Sequence, residues 1–349
     1  MTDSNENSWW RRERFSERRT RLEARGRIIA GLRRWFESRG FLEVETPALQ
    51  ISPGMEPHLQ AFATELTTPE GEVQRRYLHT SPEFAMKKLL VAGLPKIFQI
   101  AHVFRNGERA RVHSPEFTML EWYRADEDYE AVMADCETIL RLACTEAGTS
   151  ELRSGGLASS PFETFERLTV ADAFRRYTGI DLLATAPDPL TPDAGLLHDA
   201  ARRREITPHD QDSWEDLFFR IMLERIEPNL GIGRPLILRD YPISLAALAR
   251  PKPADSRVAE RFELYACGIE LANAFGELTD AVIQRRRFDA DMALRERLYG
   301  SRYPVDEDFL AALAYGMPES SGAALGIDRL VMLATGAPSV EAVTWVPVQ

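Results

Sequence analysis

Residues 104–124 read FRNGERARVHSPEFTMLEWYR, an Arg-dense stretch (Arg105, Arg109, Arg111, then His113) that runs straight into an alternating, aromatic-rich segment. Period-two alternation puts Phe117, Met119, Glu121 and Tyr123 on one face of a strand. A carboxylate among apolar neighbours is costly to bury unless it meets a cation. An amine-bearing ligand would satisfy Glu121, with Tyr123 giving a hydroxyl or an aromatic wall. In IELANAFGEL, residues 269–278, the same alternation aligns Asn273, Phe275 and Glu277. Two such faces describe a pocket for a small, doubly polar cation. For either face alone, solvated acids on an edge strand are the alternative.

The cations ahead of the strand suit phosphate. Arg105 ends one strand and opens the loop, and Arg329 begins the last helix just after Gly326. Planar guanidinium groups and helix N-termini both favour phosphate oxygens. The alternative for Arg329 is a pair with Asp328 or another acid. His113 is expected to orient the loop or touch a phosphate rather than act as a base. In ELYACGIE, a two-residue turn at Ala266-Cys267 would set Glu263 directly opposite Glu270. Like charges so placed destabilise a sheet unless a cation lies between them. A hard divalent ion bridging to phosphate would resolve the conflict; a longer loop that offsets the pair would also do so.

Around these stretches the chain alternates strand and helix patterns. Apolar residues from Leu22 to Phe36 recur at helical spacing, with Gly40 as terminator. FLEVETPAL alternates as a strand limited by Pro47. RRYLHTSPEF reads as strand, turn and helix, with Ser81, Pro82 and Glu83 capping the helix. Residues 129–147 are helical, 150–165 form a Gly/Ser/Pro-rich linker or loop, and 168–230 are mainly helical without concentrated chemistry, an insertion. Hairpin-joined strands with helices between them predict an α+β domain with an antiparallel sheet flanked by helices. Residues 1–20 read as a polar, Arg-rich extension and 21–349 as one domain. Ten arginines face three glutamates between Arg11 and Arg34. An ion-paired, solvated helix face is the simpler account of that run, and a surface for an acidic partner the alternative.

The net charge of −11 over 349 residues argues against broad nucleic-acid or membrane-surface binding. Cys136, Cys144 and Cys267 lack metal-ligand spacing and read as reduced thiols. Neither a signal peptide nor a membrane span is expected, which points to the cytoplasm.

Taken in order, FRNGERARVHSPEFTMLEWY, GIELANAFGEL and SGAALGIDRLVML resemble the second and third motifs and intervening strands of the class II aminoacyl-tRNA synthetases, within them the lysyl branch. The helix and strand ending GFLEVETP resemble the first, dimer-forming motif. The resemblance covers residues 21 to about 335. It implies ATP and Mg²⁺ as cofactors and a homodimer. Arg105 would contact the α-phosphate and Arg329 the γ-phosphate and adenine, with Asn106, Gly107, Glu108, His113, Ser114, Glu270, Leu271 and Gly326 around the nucleotide. Glu263 and Glu270 would hold the metal. Ser81, Pro82, Glu83, Glu121, Tyr123, Asn273, Phe275, Glu277 and Ala324 would line the site of a lysine-like substrate.

Three departures sharpen this. The family's Arg-x-Glu is Arg105-Asn106-Gly107 here, so an adenine contact passes to Glu108 or is lost. The Asn that usually follows the loop His is Ser114. Only residues 1–20 stand before the first motif here, so the anticodon-binding OB domain of a lysyl-tRNA synthetase is not expected. A free-standing core of this kind resembles the lysyl-transferases that activate (R)-β-lysine and attach it to a lysine of elongation factor P, so no tRNA is expected. Ala324 stands where lysyl-tRNA synthetases usually carry Gly; one added methyl group can penalise one amino-group position by roughly 1–3 kcal/mol. A neutral packing change is the alternative. The rival functions are a tRNA-charging enzyme without an anticodon domain and a non-catalytic amino-acid-sensing paralogue.

Overall fold

The computed structural model describes residues 8–348. Helix α1 (Arg12–Ser38) leads, its buried Ile28, Leu32 and Phe36 four residues apart on one face, and Gly40 ends it at φ 79°. Burying each of these side chains contributes about 1.5–3 kcal/mol. The next segment is extended but pairs only briefly, as β1 (Leu42–Glu43) and β2 (Leu49–Gln50), so the alternation of FLEVETPAL does not become one continuous strand. Pro47 lacks the N–H such a strand would need. Strands β3 (Ala63–Thr67) and β4 (Val73–Leu78) complete a small sheet with β2. Helix α2 (Glu83–Val91), β5 (Lys96–Phe104), β6 (Glu116–Ala125) and α3 (Tyr129–Ala147) follow. The stretch expected as a linker contains a hairpin instead, β7 (Leu152–Ser154) with β8 (Leu157–Ser159).

Then come β9 (Glu166–Thr169), α4 (Val170–Thr178), α5 (Ala194–Arg202), α6 (Trp214–Ile221) and β10 (Leu236–Pro242). Strands β11 (Pro251–Lys252), β12 (Asp255–Ala266) and β13 (Ile269–Gly276), helices α7 (Ala281–Tyr299) and α8 (Glu307–Gly316), and finally β14 (Ser320–Gly326) and α9 (Ile327–Thr335) close the fold. The main sheet runs β1-β5-β6-β14-β13-β12-β10-β9, antiparallel except at its two outer pairs, with β11 attached to β12. Helices α1, α3 and α9 pack on one face, where Phe36 stacks on Phe98 and Trp122, Phe262 and Leu330 are buried. A second core joins α4–α6 to β10 through Phe174, Phe218 and Tyr241, and a third joins α2, α7 and α8 through Phe84, Phe288 and Phe309. The central strands keep their other face for a cavity. Among the described residues no helix is long and apolar enough to cross a membrane.

Candidate active site

Register builds the site. Glu121 on β6 lies opposite Ala324 on β14, Ala324 opposite Asn273 on β13, and Asn273 opposite Glu263 on β12. The next row is Tyr123, Gly322, Phe275 and Arg261. Cross-strand partners share a face, so both alternations read from the sequence point the same way. A cleft of about 250 Å³ opens on that face, lined by Glu56, Ser81, Glu83, Arg105, Glu108, His113, Ser114, Glu270, Leu271, Asn273, Phe275, Ala324, Gly326 and Arg329 among others. Asn106 and Gly107 do not line it. Gly107 has φ 82°, a left-handed backbone that Gly adopts without strain and Glu would not. Glu108, one residue on, is the acid that faces the cleft.

The expected opposition of Glu263 and Glu270 is not found. The turn is Cys267-Gly268, both with positive φ (54° and 69°), which suits the twist of a two-residue hairpin. Leu271 is an extra residue on β13, so Tyr265 pairs with Glu270 and Leu264 with Ala272. This bulge brings Glu270 onto the face of Asn273 and Glu263, which a regular strand would deny it. Glu263 is buried, accepting from Arg261 Nη2 (2.8 Å) and Tyr265 OH (2.6 Å), and does not itself line the cleft. Glu227, from the stretch expected to lack chemistry, joins the two. Burial, then Glu263 and Glu270, push its carboxyl up to about 7. Withdrawal from water and then Glu263 raise Glu270 in turn, against the guanidinium groups of Arg329 and Arg105. Hard oxygen donors with unbalanced charge fit Mg²⁺, which takes one or two carboxylates and completes its shell with water and phosphate. Among the described residues no three acids, His or Cys close round an ion by themselves.

Arg329 donates from Nε to Val112 O (3.1 Å), from Nη1 to Glu270 O (2.9 Å) and from Nη2 to His113 Nε2 (2.8 Å). Burial and then Arg329 lower the His113 pKa, so His113 is a neutral acceptor that positions the guanidinium. Asp328 is not the partner of Arg329; it is buried against Arg25 of α1 and accepts from Thr118 N. Arg105 lies over the Phe117 ring, 5.2 Å from its centroid, with its Nε lacking a hydrogen-bond partner among the described residues. In the Arg-rich helix, Arg25, Arg33 and Arg34 pair within the chain, with Asp328, Glu43 and Glu146.

At the other end of the cleft the acids lie deeper. Glu121, Tyr123 and Glu277 are almost wholly buried beneath its floor. Tyr123 OH donates to Glu121 Oε1 (2.5 Å) and Ser81 Oγ to Oε2 (2.7 Å). Ser81 does not occupy the N-cap of α2, which is Pro82, yet its Oγ accepts from Glu83 N. Pro82 lines a shallow recess beside the cleft. Lys87 was not foreseen: wholly buried, its Nζ sits 2.5 Å from both Glu83 and Glu277. Burial would lower its pKa, but Glu277 and Glu83 outweigh that and raise it. Burial, then Glu83, push Glu121 up to about 8; burial raises Glu277 to about 7 against the pull of Lys87.

Two guanidinium groups, the carboxylates of Glu227, Glu263 and Glu270 and a second, deeper group of acids thus gather at one face of the sheet. The family model described as tRNA synthetases class II (D, K and N) matches residues 4–349, and the chain belongs to that family. Similar proteins carry the name elongation factor P–(R)-β-lysine ligase. One from Haemophilus influenzae (strain PittGG) is 42% identical over 316 residues, 90% of each chain. Another from Histophilus somni (strain 2336) is 40% identical over 323 residues, covering 92% of this chain and 93% of its own. A third, from Sodalis glossinidius (strain morsitans), is 42% identical over 321 residues and 90% of each.

Proposed function

We propose that the chain is an ATP-dependent, AMP-forming ligase that activates (R)-β-lysine and transfers it to the ε-amine of a lysine on elongation factor P, in the cytoplasm and without tRNA. The observation that carries this is the single cleft shared by Arg105, Arg329, Glu83, Asn273 and Ala324, with Glu121 and Glu277 beneath it. In the first step the substrate carboxylate attacks the α-phosphorus; the new O–P bond forms as the bond to pyrophosphate breaks. Arg105 neutralises the charge developing on the α-phosphate, and Arg329, held by His113 and Glu270, receives the departing pyrophosphate. Glu263 and Glu270, with Glu227 beside them, would hold Mg²⁺, whose charge would offset that of the triphosphate. Glu121, Tyr123 and Glu277 hold the substrate's ammonium groups, and Asn273 and Phe275 fix the chain between. In the second step the acceptor nitrogen attacks the acyl carbon, the C–N bond forms, the bond to AMP breaks, and the displaced protons pass to solvent.

Homodimer formation is supported by Leu42, Leu49, Ile51 and Leu66, apolar side chains left exposed around the segment that follows α1. The acidic balance gives no support to a tRNA-binding surface. ATP–pyrophosphate exchange tests the activation step. (R)-β-lysine is expected to exceed α-lysine by roughly tenfold or more, within the 1–3 kcal/mol that a wall methyl can impose. Ala324→Gly is expected to narrow the gap; equal rates in the parent chain would remove the selective role of Ala324.

A further inference from the structure

A second cavity, about 230 Å³, adjoins the cleft and shares Glu56, Asn273 and Phe275 with it. Glu215 from α6 and Gln284 and Asp291 from α7 line its far side. The side chains of Glu56, Glu215 and Asp291 have no ion-pair or hydrogen-bond partner among the described residues. Gln284 is 1% exposed, yet its Oε1 has no donor; nor has Asn273 Oδ1 on the shared wall. The nearby cations are occupied: Arg261 by Glu263 and Leu245 O, Arg287 by Ala247 O and Ala249 O, and exposed His58 at Tyr299. Burial, then Glu56 and Glu215, push Asp291 up to about 7 against the pull of the Arg287 guanidinium, as expected of neighbouring acids with no cation paired to them directly. Acceptors without donors suit a group that is all donor, which an ammonium is. Phe219, Leu248 and Phe288 offer an apolar lining for an alkyl stem.

We infer that this cavity binds a second alkylammonium group, the amine that attacks the activated carboxyl in the adjoining cleft. The inference rests on the transfer proposed above. One proton leaves the ammonium to a cavity carboxylate before attack, and a second leaves the adduct to solvent as AMP departs with the electron pair of the broken C–O bond. The source is either a protein lysine or a free amine, and the two are separable. The test uses the full chain carrying Glu215→Gln with Asp291→Asn, and separately Gln284→Leu. It reads pyrophosphate exchange, transfer to elongation factor P, and the effect of n-butylammonium. Exchange is expected within about twofold of the parent, while transfer efficiency falls about tenfold or more in the double variant and in the same direction for Gln284→Leu. Butylammonium is expected to inhibit transfer, or to accept the acyl group, in the parent but not in the double variant. A parent that modifies butylammonium but not the factor assigns the site to free amines and overturns only the protein acceptor. Unchanged transfer and unchanged butylammonium response, or exchange and transfer falling together, overturns the site itself.

Discussion

Arg105 has an aromatic ring beneath it and, among the described residues, no carboxylate in ion-pair contact, so its guanidinium is left to the cleft it lines. Arg105→Ala is expected to lower the rate of adenylate formation about 10²–10³-fold in single-turnover quench, with KM for the amino acid changed little. An equal loss in amino-acid affinity would place Arg105 in ground-state binding. Glu121 and Glu277, pushed up to about 8 and about 7 chiefly by burial, titrate close to neutrality. A bound ammonium favours their ionised forms, so affinity for the diamino acid rises with pH through 7 and 8 and levels off above. Titration calorimetry in buffers of differing ionisation enthalpy should register proton release, and Glu121→Gln should flatten the upper part of the profile. Stability of the unliganded protein runs the other way. The folded state binds more protons than the unfolded one between the ordinary carboxyl range and pH 8, so this cluster's contribution is lost as pH rises through 7 and 8. Alternation alone exposed Glu121, Tyr123, Asn273 and Glu277 in the sequence. Lys87, Glu56 and Glu227 were illegible because each reaches the site from an element whose local pattern says nothing about where its tip arrives.

At the level of elements, a bulge and a glycine decide what the strands present. A Cβ at Gly322 would collide with the ring of Tyr123 on the neighbouring strand. Gly322→Ala is expected to cost about 1–3 kcal/mol in denaturant unfolding and to raise KM for the amino acid by displacing Tyr123. An unchanged KM would separate Tyr123 from substrate binding. Strand and helix identities along β5, β6, β13, β14 and α9 were readable from period and punctuation. The position of the hairpin turn was not. Moving it by one residue, to Cys267-Gly268, and adding Leu271 changes which carboxylates meet, and neither effect leaves a mark in a two-residue alternation.

For the whole molecule, the exposed apolar side chains near the first motif predict a dimer in sedimentation equilibrium, and Ile51→Asp is expected to shift the population toward monomer. A parent chain that stays monomeric at micromolar concentration would contradict it. The α+β architecture followed from the order of the patterns. The pairing of β9 with β10, which anchors the helices α4–α6 to the sheet, depends on contacts distant in sequence that periodicity does not encode. The row from Glu121 through Ala324 and Asn273 to Glu263 crosses four adjacent strands, three spacings of about 4.8 Å each, or roughly 14 Å. Backbone hydrogen bonding sets that length, so the sheet acts as a gauge. Exchanging a side chain along the row alters which charge or methyl group stands at one position, but it leaves the span between the two ends unchanged, so on the activity proposed above the separation of ammonium end and metal end is fixed by backbone and not by side-chain choice.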